Sequence, residues 1–183
     1  MTAIERRFVT PEVRRGVSQR FIGYLALDAL VGNTDRHHEN WGIIQEPKQT
    51  KDAETGDLST ILRTSLAPTF DHGSSLGREM LDERRERILQ DPNSMSRYIR
   101  KATGGIYRES TDKKGLSPLA LIELVAERHP VIFHSWQKRI HKLGENYADS
   151  LVAVIPEACM SQTSKQFVLA FLMESRNLIL SIK

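Results

Sequence analysis

The sequence has almost no cysteine and no long apolar run. Cys159 is the only cysteine among 183 residues, which excludes an internal disulfide and a cysteine-rich zinc site. The longest apolar stretches, at residues 151–155 and 167–173, are far shorter than the ~20 residues of a membrane-spanning helix. Residues 1–10 contain charges and lack the apolar core of a signal peptide. These absences predict a cytoplasmic protein with no membrane partner.

An excess of charge of one sign is also missing. Lys and Arg number 26 against 23 Asp and Glu, a net charge of +3, and basic residues are interspersed with acidic ones. Direct binding of nucleic acid is therefore not expected. Hydrophobic residues make up 39% of the chain, which is enough for a core. The length suits a single domain over residues 1–183.

The first third of the chain predicts one long helix followed by a β-hairpin. Apolar residues recur at helical spacing over residues 11–31, and Gly32 is expected to end the helix. Two short stretches, residues 41–45 and 60–66, predict the strands of the hairpin. The polar residues 46–59 between them predict a surface loop.

The rest of the chain predicts helices only. Ser117 followed by Pro118 is a typical helix start, because the hydroxyl caps the helix and proline needs no N–H there. Helical patterns are found at residues 78–90, 93–102, 117–125, 130–142, 145–154 and 162–181. The sequence thus predicts a mainly α fold with one small hairpin near its first helix.

Polar side chains are concentrated at the two ends of the predicted hairpin. Asp35 and Asn40 precede its first strand, and Asp71 follows its second. If the strands pair, all three residues emerge at the base of the hairpin. Two carboxylates and one amide oxygen form a set of hard oxygen ligands that suits Mg²⁺.

The spacing of these residues is typical of phosphoryl-transfer loops. Asp35 and Asn40 fit the pattern D-x-x-x-x-N, in which the Asp takes the hydroxyl proton and the Asn binds a metal ion. Asp71, followed two residues later by Gly73, is placed like the metal-binding Asp of a D-F-G motif.

Three segments of the sequence resemble a known family. Residues 33–42, NTDRHHENWG, look like the catalytic loop of HipA-like kinases, and residues 66–77, LAPTFDHGSSLG, look like their metal-binding segment. Residues 156–161 and the helix after them resemble the end of that family's helical lobe. The resemblance implies the C-terminal lobe of a serine/threonine-kinase-like fold, related to phosphatidylinositol kinases and to the toxins of bacterial toxin–antitoxin pairs.

The resemblance also implies a role for each matching residue. Asp35 would be the general base, and Asn40 and Asp71 would bind Mg²⁺. The acceptor would be a Ser or Thr hydroxyl of a protein substrate, and ATP would be the donor. The residues expected around the nucleotide are His37, Asn40, Asp71, Gly73 and Ser74.

The sequence departs from this family at its N-terminal end. The family has a sheet-rich N-terminal lobe that covers the ATP phosphates, whereas here the long helix begins near residue 11. The eleven glycines form neither G-x-G-x-x-G nor G-x-x-x-x-G-K-[ST]. The expectation is a fragment of a kinase or a split kinase completed by a separate N-lobe subunit, with an antitoxin as a further possible partner. The alternative is a catalytically inactive binding or regulatory module.

The histidines raise a weaker alternative. Asp71 and His72 suggest a metal-dependent phosphohydrolase, but their order is reversed and the helical histidines lack partner carboxylates. Of the adjacent His37 and His38, we expect one to be buried and to brace the loop, and the other to face the cleft.

Overall fold

The computed structural model describes residues 11–51 and 54–183, with side chains from residue 15 onward. The expectation that no signal peptide is present concerns residues 1–10, and these lie outside the described part. The described residues form seven helices: α1 (Pro11–Val31), α2 (Asp82–Gln90), α3 (Ser94–Lys101), α4 (Pro118–Arg128), α5 (Pro130–His141), α6 (Asp149–Ala153) and α7 (Gln162–Ser181). They also form one antiparallel pair of strands, β1 (Ile43–Lys51) and β2 (Leu58–Leu66). The prediction of a mainly α fold with one hairpin is confirmed.

The hydrophobic core lies between α1 and the C-terminal helix α7. Helix α7 contacts each of the other six described helices, and α1 packs against α4, α5 and α7. Five large side chains from these elements are almost completely buried: Ile22, Ile122, Phe133, Phe167 and Ile179. The C-terminal half of α1 is therefore fixed in the core, and it leads directly into loop 33–42. None of the described helices has the length and apolarity needed to span a bilayer.

Gly32 ends α1, as the sequence predicts. Its φ is +67°, a left-handed conformation that costs a residue with a Cβ atom about 1–2 kcal/mol. The amide of Asn33 donates to the carbonyl of Asp28 at 2.9 Å, which is the pattern of a Schellman C-cap. A Cβ atom at Gly32 would also lie 2.4 Å from Cζ of Phe171. Packing as well as backbone conformation therefore requires glycine here.

We expect Gly32→Ala to lower the free energy of unfolding by about 2–4 kcal/mol, since it adds backbone strain to overpacking against Phe171. Gly16→Ala is the matched control, because Gly16 lies in the same helix with open space where its Cβ would be. That control should raise stability by about 0.5–1 kcal/mol. Urea unfolding of both variants measures the difference, and equal midpoints would contradict the packing argument.

The hairpin is longer and its tip shorter than the sequence predicts. The expected surface loop over residues 46–59 is exposed, but β1 continues to Lys51 and β2 begins at Leu58. Polar pairs hold these extensions together: Gln49 donates to Thr60 at 3.2 Å, and Thr50 lies 3.0 Å from the hydroxyl of Ser59. Both faces of the outer hairpin are exposed, so the alternation of apolar and polar residues that marks a half-buried strand is missing. The expectation of a loop was wrong for this reason.

Helix starts follow local capping and turn residues. The hydroxyl of Ser117 accepts from the amide of Ala120 at 3.0 Å, which confirms the predicted start of α4. Helix α2 begins at Asp82 rather than at residue 78. Leu76 and Gly77 both have positive φ, +56° and +64°, so the chain turns before the helix can form.

Candidate functional site

A buried polar cluster lies where α1 enters loop 33–42. Its members Asp28, Asn33 and Arg36 are 2%, 1% and 3% exposed. Arg36 donates to both carboxylate oxygens of Asp28, from Nε to Oδ2 at 2.7 Å and from Nη2 to Oδ1 at 2.8 Å. Asn33 Nδ2 donates to the same Oδ1 at 2.9 Å. The charge of Asp28 is thus paired and hydrogen-bonded, as burial requires.

The buried polar cluster fixes loop 33–42. Asn33 Oδ1 accepts from the amide of Asp35 at 3.1 Å. Arg36 Nη1 donates to the carbonyl of Asn40, whose own amide donates to the carbonyl of His37 at 3.1 Å. Both ends of the D-x-x-x-x-N pattern are therefore bonded to the cluster.

The same cluster fixes segment 66–77. Arg36 Nη2 donates to Oγ1 of Thr69 at 2.9 Å, and its Nη1 reaches the carbonyl of Phe70 at 3.3 Å. Asn33 Nδ2 lies 3.5 Å from the carbonyl of Asp71. The structure thus brings together the two segments that the sequence singled out, and the side chains of Asn33 and Arg36 contact both.

Asn40 is held with its amide oriented. Its side chain is buried, and Nδ2 donates to the carbonyl of Asp35 at 2.7 Å. No hydrogen bond within the described part of the chain uses its Oδ1. The amide oxygen therefore remains as a neutral acceptor, a group that suits a hard cation such as Mg²⁺.

Asp35 has a side chain that the fold does not use for packing. It is 50% exposed, and Nε2 of His37 lies 3.8 Å from its Oδ1. Its position is set by its backbone, since its amide and its carbonyl bond to Asn33 and Asn40. A carboxylate held in this way can meet a ligand without breaking a structural contact.

Asp71 has an unusual backbone conformation. Its φ is +57°, in a region that residues other than glycine rarely adopt and that clusters at functional sites. Gly73 lies beside its side chain, because a Cβ at Gly73 would be 3.9 Å from Oδ1 of Asp71 and 3.4 Å from Nη1 of Arg78. The carboxylate is exposed. Carboxylate oxygens such as those of Asp71 are ligands of the kind that Mg²⁺ prefers.

The other predicted site residues are less constrained. The side chain of His37 is 32% exposed and that of His38 is 85% exposed, so the expectation that one of them is buried was wrong. Arg36 braces the loop in their place, because its guanidinium reaches several acceptors at once. His37 Nδ1 accepts from the amide of Glu39 at 3.3 Å. Ser74 is exposed next to Gly73.

Two further residues support the base of the hairpin. Tyr24 on α1 donates to the carbonyl of Ala67 at 2.7 Å, directly after β2. Burial raises the pKa of the Tyr24 hydroxyl above its ordinary value, so the phenol remains a neutral donor at physiological pH. His72 contacts Thr69 at 3.1 Å and Asp28 at 3.7 Å, and it belongs to the surroundings of the buried polar cluster.

Residues 11–51 and 54–183 contain no group of three or more His, Cys, Asp or Glu side chains placed to share a metal ion. The two-metal arrangement expected of a phosphohydrolase gains no support from these residues.

A cavity of about 630 Å³ lies between segment 75–85 and the start of α7. Asp82 at its wall accepts from the hydroxyl of Ser161 and from Arg85. Hydrogen bonds from Ser161 and Arg85 hold the pKa of the Asp82 carboxyl below its usual value. The cavity was not predicted, because it joins segments almost eighty residues apart in sequence.

Sequence reasoning missed the buried polar cluster. Asp28 is the only charged residue between Phe21 and Val31, and this isolation within an apolar helix face was the available signal. A buried acid of this kind needs a cationic partner, and Arg36 is the arginine nearest to it in sequence after the helix ends.

Comparisons with known proteins found similarity to a kinase in both sequence and fold. No family model matches the chain. A crystal structure of the Helicobacter pylori proinflammatory kinase CtkA matches with a TM-score of 0.68, at 22% identity over 92% of this chain. The fold is kinase-like. The curated sequence of the Helicobacter pylori serine/threonine-protein kinase CtkA is 27% identical over 109 residues, 60% of this chain.

The chain spans only part of the length of CtkA. It covers 53% of the CtkA chain in the crystal structure and 29% of the curated CtkA sequence. A kinase-like relationship is therefore supported at the level of fold and distant sequence similarity.

Proposed function

We propose that the chain is the catalytic lobe of a HipA-like protein serine/threonine kinase, which transfers a phosphoryl group from ATP to a protein hydroxyl with Mg²⁺. The observation that carries this proposal is the bonding of Asp35, Asn40 and Asp71 to one buried polar cluster within a kinase-like fold. Phosphoryl transfer depends chiefly on positioning and charge neutralisation, and rigid positioning is what such a cluster supplies.

Each site residue has a distinct role in this proposal. Asp35 accepts the proton of the acceptor hydroxyl, for which its exposed and uncommitted carboxylate is suited. Asn40 Oδ1 and the carboxylate of Asp71 would hold Mg²⁺, which supplies charge neutralisation at the phosphates when bound. His37, Gly73 and Ser74 border the place proposed for the nucleotide.

The proposal includes partners besides ATP and the protein substrate. The chain spans about half of the CtkA structure, and its eleven glycines contain no phosphate-binding loop. The groups that cover the ATP phosphates would come from a sheet-rich lobe, either elsewhere in the natural protein or on a separate subunit. An antitoxin-like regulator and a cytoplasmic location are part of the same proposal.

The test is Asp71→Asn, which removes the charge but keeps a side chain that tolerates positive φ. Transfer of labelled γ-phosphate is measured in the intact natural protein, or in this chain mixed with the product of a neighbouring gene that encodes a small sheet-rich domain. We expect Asp71→Asn to lower transfer at least 100-fold, since metal and charge stabilisation contribute on that scale. The fold should be retained, as judged by circular dichroism.

The control for this test is Asp57→Asn, an exposed Asp near the tip of the hairpin, which should keep wild-type activity. Wild-type activity in Asp71→Asn would contradict the assignment of the metal ligand. If the wild-type chain with its partner binds ATP without Mg²⁺-dependent transfer, the alternative of a catalytically inactive binding module is favoured. The absence of a glycine-rich phosphate loop is the observation behind that alternative.

A further inference from the structure

Asp28 contacts none of the groups proposed to react, yet it orients the two side chains that fix them. Its carboxylate accepts from Nε and Nη2 of Arg36 and from Nδ2 of Asn33. It is 2% exposed and stands on α1, which is packed in the core. Its position is thus determined by a helix that packs in the hydrophobic core.

The bonds of Arg36 are geometrically coupled. The guanidinium is planar, and a carboxylate that binds Nε and Nη2 fixes the whole fork. The remaining donor, Nη1, is then aimed at the carbonyls of Asn40 and Phe70. The orientation of Asp28 therefore sets where loop 33–42 and segment 66–77 lie relative to each other.

Asn33 also links Asp28 to both segments. Its Nδ2 contacts Asp28 and the carbonyl of Asp71, and its Oδ1 accepts from the amide of Asp35. The amide plane links these contacts, so a change at Asp28 is transmitted to the backbones of both acidic site residues.

We infer that Asp28 is a positioning residue, which sets the spacing between the proposed base Asp35 and the proposed metal ligands Asn40 and Asp71. The effect of Asp28 on catalysis rests on the proposed function. Its effect on the relative position of the two segments does not. Asp28 lies on α1, outside both motif segments, and in this inference it controls the geometry of the site. A residue that served stability alone would hold α1 and the loop together without linking the two segments.

The test is Asp28→Asn, which keeps the shape of the side chain and removes its charge and one acceptor. Amide hydrogen exchange is followed by NMR at Asp35 and Asn40 in loop 33–42, and at Leu76, whose amide bonds to the carbonyl of Val31 at 2.8 Å. We expect at least tenfold faster exchange at all three amides in the variant. Faster exchange in only one of the two segments, or in neither, would overturn the inference.

Arg176→Lys is the matched control. Arg176 is 9% exposed and donates to the carbonyls of Leu143 and His141 at 3.0 and 3.2 Å, so its replacement also disturbs buried arginine bonds, but in another part of the fold. Exchange at Asp35 and Leu76 should stay within twofold of wild type. If Asp28→Asn does not fold, Thr69→Val removes one acceptor of Arg36 and should accelerate exchange at Asp35 in the same direction. Unchanged exchange there would overturn the inference.

A kinetic measurement separates the inference from the proposed function. In the complete kinase, Asp28→Asn should raise the Mg²⁺ concentration for half-maximal rate at least threefold, and Arg176→Lys should leave it unchanged. If wild type shows no phosphoryl transfer, the proposed function fails, while the exchange data still decide whether Asp28 positions the two segments. If transfer is present and the Mg²⁺ requirement of Asp28→Asn is unchanged, the positioning role fails by itself.

Discussion

Asp35→Asn is expected to lower the rate of phosphoryl transfer by about 10³, because a positioned general base contributes roughly 10²–10⁴ to such rates. The substitution keeps the size of the side chain and its polarity, and removes its negative charge and with it the ability to accept a proton. The loss should appear in kcat, with the KM for ATP changed little, since Asp35 is assigned to the acceptor and not to the nucleotide. Initial rates at saturating ATP and Mg²⁺ measure it.

The fold should be unaffected by this substitution. The Asp35 side chain is half exposed, and its contact with Nε2 of His37 at 3.8 Å lies at the surface, where even a fully charged pair is worth only about 0–1 kcal/mol. Asn33 and Asn40 bond to the backbone of Asp35, which the substitution does not change. Full activity in Asp35→Asn would contradict the role of base, and unfolding would contradict the expectation that the side chain is free of structural contacts.

The helices were predictable because their signals are local. Pro11–Val31 and Gln162–Ser181 have apolar residues at helical spacing, and Gly32 and Ser117 carry the end and start signals. These features depend on residues close in sequence, and tertiary contacts reinforce them. Gly32 is required by its positive φ and also by the ring of Phe171, which leaves no space for a Cβ atom, so local and tertiary requirements agree.

The outer hairpin was not predictable by the same means. Strand prediction relies on one buried face, and β1 and β2 are exposed on both faces beyond their base. The pairs Gln45–Thr64 and Gln49–Thr60 that accompany the ladder join residues 19 and 11 positions apart. Such contacts become visible only when the register is known.

The candidate site was predictable in the residues of its motifs and not in the buried pair that supports them. Asp35, Asn40 and Asp71 stand in a recognisable spacing on short loops. Asp28 lies outside both motif segments, Arg36 occupies an unspecified position of D-x-x-x-x-N, and their pairing depends on how α1 ends and on where the chain turns. Polar residues buried next to a site are defined by geometry in three dimensions, which a single sequence does not specify.

We expect a large loss of stability when the buried pair of Asp28 and Arg36 is broken. Asp28→Ala leaves the buried guanidinium of Arg36 without its counter-ion, and breaking a buried ion pair in this way costs about 3–5 kcal/mol. Arg36→Met should be costly as well, because it leaves the buried carboxylate of Asp28 without its counter-ion and the carbonyl of Asn40 without the Arg36 donor. Urea unfolding at neutral pH measures both variants.

The double variant Asp28→Ala/Arg36→Met decides whether these costs share one origin. When one partner is already absent, removing the other also removes an unpaired buried charge. The free energy of unfolding of the double variant should therefore fall by about 2–3 kcal/mol less than the sum of the two single losses. The exposed pair Arg100–Glu123, 3.3 Å apart with side chains 50% and 41% exposed, is the control cycle. Its coupling should stay below about 1 kcal/mol. Additive losses at Asp28 and Arg36 would show that the two side chains stabilise the fold independently, and the single buried polar cluster would no longer explain how the two segments are held.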